Sequence, residues 1–304
     1  MGSSMANRVA RGKGPWPIAN DEKSIRDWLV QRMNTGVEQE EISPVVGMCL
    51  DFVSLKSRGE RMMVGFRYSE SLIDRLALIG QDLAEGKPVQ YVLKSAHFDG
   101  LDLFVDVNVL IPRPETEEIV FAIVERLWKG FNGRVLDIGT GSGCIALSLK
   151  NRMPEAHVFA TDFSDSALKV ALKNAESYDL KVAFECSDIL SEEPFKGQSF
   201  DAVISNPPYI PTLEKKSMSS KVVNYEPSMA LFVPDDEPLK FYQAIINHCE
   251  REVLLPGGIM ALECHEDFTE EVKELIVSGD GFSKIEIIVD MQGKNRHVIA
   301  EKNV

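Results

Sequence analysis

The chain has little that would staple or anchor it. Its 304 residues include five cysteines, at 49, 144, 186, 249 and 264. No two form a C-x-x-C pair and an odd number cannot all pair, which argues against a disulfide framework or a structural zinc site; no metal is expected. No apolar run approaches the roughly 20 residues of a membrane-spanning helix, and the N-terminus lacks the apolar core of a signal peptide. Positive charge is also scarce. Lys and Arg number 33 against 47 Asp and Glu, a formal net charge of −14, so stable nucleic-acid binding is not expected, because neutralising phosphates takes clustered cations. Internal repeats are absent. What remains is an ordinary globular composition, 44% hydrophobic, long enough for two domains. A cytoplasmic monomer without a membrane partner is the expectation.

Residues 1–20 open basic, rich in Gly and Ser and without period, and are read as a flexible tail. From 21 to 86 the stretches "DEKSIRDWLVQRM" and "SESLIDRLALIGQDLAEG" repeat apolar residues at three- and four-residue spacing, which predicts a small helical domain. Residues 87–111 shift to the short runs "VQYVL" and "LDLFVDV" around "FDG", the pattern of a β-hairpin linker. A helix should start at Pro114, with Glu115, Glu117 and Glu118 complementing its dipole. From 112 to 304 strand-like runs ("RVLDI", "HVFAT", "KVAFEC", "DAVIS", "GIMALE") alternate with helical stretches, implying an α/β fold with a mostly parallel sheet covered on both faces. The last two runs, "KIEIIV" and "RHVIAEK", lack an intervening helix and predict an antiparallel hairpin at one edge.

Two stretches carry chemistry. "VLDIGTGSGCIALSL" reads as a buried strand, a turn built on Gly139, Gly141 and Gly143, and a helix. Its G-x-G-x-G spacing differs from the G-x-G-x-x-G of dinucleotide folds. Asp162 ends the second strand, where a carboxylate can accept both hydroxyls of a ribose, and Phe163 follows as a stacking face. Asp188 follows the third at the same sheet edge. Asp137, at the end of the first strand, would set a carboxylate near a cationic ligand. A plainer reading is also open: Asp162 as a cap for the next helix.

The second stretch is "DAVISNPPYIP" at 201–211. Pro207 and Pro208 have no N–H to give a ladder, and a residue before proline is pushed toward extended backbone. The result is a stiff rim offering acceptors, the Asn206 side-chain oxygen and the Pro207 carbonyl, with Tyr209 as a flat wall. Such a rim suits a planar –NH₂ group, whose nitrogen must be freed from amide resonance before it can attack.

"DIGTGSG" with "NPPYIP" resembles the S-adenosylmethionine-dependent N-methyltransferases, and "LIPRPETE" at 110–117 resembles specifically the HemK/PrmC family, the glutamine-N5 methyltransferases of peptide-chain release factors. The likeness runs from about Pro88 to Arg296 and includes "PVQYVL", "NYEPSMAL" and "LLPGG". It implies a Rossmann-like class I methyltransferase domain, with the N-terminal helices docking a release-factor substrate. Gly139 and Gly141 would line the methionine part of S-adenosylmethionine, Asp162 the ribose and Asp188 the adenine amino group, with Asp137, Thr140, Phe163, Ile189 and Asn206 also among the cofactor-binding residues and Arg113 and Pro114 helping to close the pocket. Asn206, Pro207, Pro208 and Tyr209 would hold and activate the glutamine amide. The chain departs from the family at "FVPDDEPL" (232–239), at Lys94, where glycine is usual, and at Cys264-His265-Glu266. "NPPY" is shared with enzymes that methylate adenine N6 or guanine N2, which supplies the alternative reading; a non-catalytic adaptor is a third.

Overall fold

The computed structural model describes residues 14–127 and 130–304, so the expected tail lies outside the described residues as far as residue 13, as does Trp128 in the helix expected after Arg113. The chain divides into two compact units, one running to Lys94 and including Ser220–Tyr225, the other comprising Ser95–Ser219 and Glu226–Val304.

The first unit is helical. Helix α1 (Glu22–Met33) is capped by Asp21, which accepts from the Ser24 N–H, and buries Ile25, Trp28, Leu29 and Met33 along one stripe. These pack with α2 (Ile42–Ser54), the short α3 (Arg58–Met63) and α4 (Glu70–Ala84), whose Leu76, Ala77 and Leu83 are buried in the same core. Arg61 is nearly inaccessible, and its guanidinium meets Glu22 at 3.0 Å and Asp51 at 2.5 Å. "VQYVL" is a helix, α5 (Val89–Leu93), and not the expected strand. Pro88 sets up its first turn, and an apolar run this short does not distinguish period 2 from period 3.6. Lys94 closes α5 at φ +55°, a left-handed position that favours glycine.

The second unit opens with a tight hairpin, β1 (Ala96–Phe98) and β2 (Leu101–Leu103), turning on Asp99-Gly100 at positive φ. It is shorter than the expected runs and displaced from the first of them. Helix α6 (Pro114–Arg126) begins where expected, with Pro114 in its first turn. The core alternates β3 (Arg134–Ile138), α7 (Cys144–Arg152), β4 (His157–Asp162), α8 (Asp165–Ser177), β5 (Val182–Cys186) and β6 (Phe200–Ser205). Two-residue β7 (Ile210–Pro211) follows, then α9 (Ser220–Tyr225) in the first unit, α10 (Ser228–Leu231) and β8 (Phe232–Val233), which pairs with β7. The fold closes with α11 (Lys240–His248), β9 (Leu254–Glu263), α12 (Thr269–Ser278), β10 (Phe282–Val289) and β11 (Asn295–Lys302).

The central sheet has seven strands in the order β10-β11-β9-β6-β3-β4-β5. Only β11 runs against its neighbours. The expected hairpin is present, but its second strand is inserted between β9 and β10. Alternation along the buried strands feeds two cores: Val135, Ala202 and Ile204 pack with α6 and α7, while Leu136, Val203 and Met260 pack with α11 and α12. The five cysteines are free, and among the described residues no helix is long and apolar enough to cross a membrane.

Candidate active site

Strands β3 to β6 end at one edge of the sheet, and chain progression reverses between β3 and β6, the place where open α/β sheets leave a crevice. A cavity of about 280 Å³ occupies it. Gly139, Gly141, Asp162, Phe163, Asp188, Ile189, Asn206, Pro207 and Pro208 all line it, together with Asn108 to Leu110 and Pro227, Met229 and Ala230.

The glycine loop is pinned from beneath. The Gly139 and Thr140 N–H groups donate to the Thr161 carbonyl at 2.8 and 2.9 Å, and the Gly141 N–H donates to Asp162 Oδ2 at 2.8 Å. Gly139 and Gly141 hold φ of +76° and +56°, and a Cβ at either would meet no protein atom within 4 Å. Their bare faces border the cavity. Gly143 differs, because a Cβ there would come to 3.2 Å from that of Ala171; its role is helix packing. Asp162 also accepts from the Ser164 N–H through Oδ1 at 2.8 Å. Each carboxylate oxygen therefore has one N–H and acceptor capacity to spare. Burial raises the Asp162 carboxyl, and the two N–H groups act to lower it. Phe163 is 60% exposed, an unusual placement for a phenyl ring and one suited to a flat ligand. Asp188 is fixed by the Leu190 N–H and the Ser191 hydroxyl.

Asn206 leaves β6 with its Nδ2 donating to Thr116 Oγ1 at 3.1 Å, so its amide oxygen is the end left over. Its neighbour Ser205 donates to the Ile138 carbonyl at 2.6 Å and locks the ends of β3 and β6 together.

A profile of the Methyltransferase small domain family matches residues 120–225. The chain is 41% identical over 220 residues to the release factor glutamine methyltransferase of Bacteroides thetaiotaomicron, covering 72% of this chain and 78% of that protein. With the release factor glutamine methyltransferase of Flavobacterium psychrophilum it shares 36% identity over 280 residues, 91% of this chain and 97% of the relative. The chain belongs to the release factor glutamine methyltransferase family. Its fold is similar to that of a methyltransferase from Pyrococcus furiosus, with a TM-score of 0.50 at 24% identity over 67% of this chain and 90% of that one.

Release factor glutamine methyltransferases use S-adenosylmethionine, and the residues at the sheet edge fit that group. The open space beside Gly139 and Gly141, the spare acceptors of Asp162, the bare ring of Phe163 and the apolar side chains of Ile189 and Leu190 suit a nucleoside carrying a charged tail.

Four of the expected site residues, Asp137, Thr140, Tyr209 and Arg113, do not line the cavity. Asp137 is completely buried below the loop, with Oδ2 accepting from Thr140 Oγ1 at 2.6 Å and the Ala146 N–H at 3.2 Å. Burial pushes its carboxyl up to about 7. Together with Thr140, which is also buried, it braces the loop from inside. Tyr209 turns behind the rim, and its hydroxyl donates to Glu263 Oε1 at 3.4 Å. Arg113 also lies off the cavity: it pairs with Glu226 at 2.7 Å, and the same carboxylate accepts from the Ile111 N–H at 3.2 Å. Glu226 thus joins the segment before α6 to the Pro227–Ala230 wall. Sequence reading missed Glu226, although "NYEPS" contains it, and also missed Thr116, Ser187, Met229 and Glu263. Among the described residues no cluster of His, Cys, Asp and Glu can hold a metal.

Glu263 ends β9 at 1% exposure. Burial pushes its carboxyl up to about 7, with Thr116, Arg296 and Tyr209 opposing the rise and Glu115 adding to it; His297 stands 3.9 Å away and burial keeps it neutral. In the unfolded chain the carboxyl titrates near the ordinary glutamate value. Between the two values the folded protein holds more protons, so this stabilising contribution is present in acid and lost as pH rises through about 7. Glu263→Gln is expected to raise stability relative to the parent by up to about 3 kcal/mol more at pH 8 than at pH 5. Thermal melts at the two pH values check this, and an equal shift at both would count against it.

Proposed function

We propose that this chain transfers a methyl group from S-adenosylmethionine to N5 of the glutamine in the Gly-Gly-Gln motif of a peptide-chain release factor. The observation that carries the reading is Asn206 on the cavity rim, with its amide nitrogen occupied by Thr116 and its oxygen left as an acceptor. Bound S-adenosylmethionine supplies an activated methyl on a sulfonium. Asn206 Oδ1 and the Pro207 carbonyl accept the two N–H groups of the substrate amide, which favours a nitrogen lone pair directed out of the amide plane. Held by these two acceptors, the substrate nitrogen would take the methyl and release one proton to water. Pro208 keeps the rim rigid, and Tyr209 supports it from behind. Asp162 and Phe163 hold the ribose side of the cofactor, Asp188 and Ile189 the adenine, and the Gly139–Gly141 loop the methionine. Asp137 and Thr140 shape that loop, and Arg113 works through Glu226.

The N-terminal helices dock the protein substrate, and the enzyme works as a cytoplasmic monomer. Incubation with S-adenosylmethionine and a release factor, followed by peptide mass spectrometry, is expected to add one methyl, 14 Da, to the Gly-Gly-Gln glutamine. An unmodified glutamine, with label recovered in RNA or DNA instead, would reject the reading.

A further inference from the structure

An asparagine side chain can present either end to a cavity, and only one end serves as an acceptor. Asn206 Nδ2 donates to Thr116 Oγ1 at 3.1 Å. Thr116 sits in the first turn of α6, 90 residues away in sequence, and is 2% exposed. The Glu263 carboxylate is nearby: Tyr209 donates to its Oε1 at 3.4 Å, its Oε2 is buried without a hydrogen-bond partner, and the Thr116 hydroxyl acts to lower the carboxyl. The hydroxyl has a single proton, and once Glu263 is ionised, at a pH above its raised value of about 7, its carboxylate only accepts.

We infer that Thr116, backed by Glu263, is a positioning residue that decides which end of the Asn206 amide faces the substrate. With its proton directed to Glu263, the Thr116 oxygen turns a lone pair to Asn206, and only the –NH₂ end of the amide is compatible with that lone pair. Oδ1 must then point away, into the cavity. Were Glu263 unable to hold the proton, the hydroxyl would be free to donate to Asn206, and the amide would turn its oxygen inward. The cavity would then meet an N–H donor opposite the substrate's own N–H. The arrangement also accounts for a carboxylate at the buried end of β9, a costly location for a group without a role at the rim.

This inference rests on the reading of Asn206 as the amide acceptor, and the test separates the two. Thr116→Val, Thr116→Ser, Glu263→Gln and Asn206→Ala are compared for kcat on a release factor and for S-adenosylmethionine Kd by calorimetry. Thr116→Val is expected to lower kcat roughly ten- to hundredfold, because it leaves the part-buried Asn206 donor unpaired and the flip unspecified, with cofactor Kd within about twofold. Thr116→Ser keeps the hydroxyl and is expected to recover kcat to within about threefold of the parent. Glu263→Gln, which offers a donor as readily as an acceptor, is expected to fall between them. Parent-like kcat in Thr116→Val or in Glu263→Gln would overturn the inference while an inactive Asn206→Ala left the underlying reading intact. Parallel losses of kcat and cofactor affinity in Thr116→Val, unrescued by serine, would also overturn it, by marking the contact as merely structural. Full turnover in Asn206→Ala would instead remove the reading beneath.

Discussion

Asn206→Ala is expected to retain S-adenosylmethionine affinity and to lose turnover by about 10²–10³, the loss typical of deleting one fixed polar group from a site where charge redistributes in the transition state. The expectation follows from what Asn206 touches. Its nitrogen is committed to Thr116 and its carbonyl end borders the cavity, whereas the acceptors proposed for the cofactor, Asp162 and Asp188, lie at the end of β4 and in the loop after β5. The mutation leaves alignment of methyl donor and nitrogen in place, a contribution on the order of 7–11 kcal/mol, so residual turnover above background is expected. Single-turnover kinetics with calorimetric Kd values check the split. A Kd raised as much as kcat is lowered would show that Asn206 chiefly holds the cofactor.

Asn206 was readable from the sequence for a structural reason. Residues following parallel strands converge on one edge whatever the loops do, so Gly139, Asp162, Asp188 and Asn206 fall together once their strands are recognised. The seven-stranded sheet was legible on the same basis. Where local pattern was ambiguous, reading failed. "VQYVL" became α5 because five apolar-rich residues carry too little period, and the hairpin moved onto Asp99-Gly100, whose turn geometry outweighs the longer alternation in "LDLFVDV". Insertion of β11 inside β10 is a matter of long-range pairing with no local signal. The same holds for the braces of the site. Asn206 meets Thr116 across 90 residues, and Ile111 meets Glu226 across 115. No spacing rule reaches that far. Asp137 and Tyr209 were found as residues but misplaced, because being next to a site in sequence does not specify which face of a loop a side chain takes. Lys94 is the reverse case. The sequence flagged it as a departure from glycine, and its φ of +55° gives the reason glycine suits that position.

Asp162→Ala is expected to raise the Kd for S-adenosylmethionine by about two to four decades, since hydrogen bonds to a charged acceptor contribute about 1.5–3 kcal/mol each and two ribose hydroxyls lose their partner. Asp162→Asn should be nearly as damaging, although it changes one atom. Both carboxylate oxygens already accept an N–H at 2.8 Å, one from Ser164 and one from Gly141. An asparagine would set its –NH₂ against one of those donors, so either the α8 entrance or the glycine loop would have to move. Loss of the Gly141 contact is the more harmful of the two, because that N–H fixes the left-handed turn whose open face borders the cavity. Calorimetric titration with S-adenosylmethionine and with its demethylated product should show the same loss for both ligands, as ribose is common to them. A substitution that weakened only the methylated form would place the Asp162 carboxylate at the sulfonium, not at the ribose.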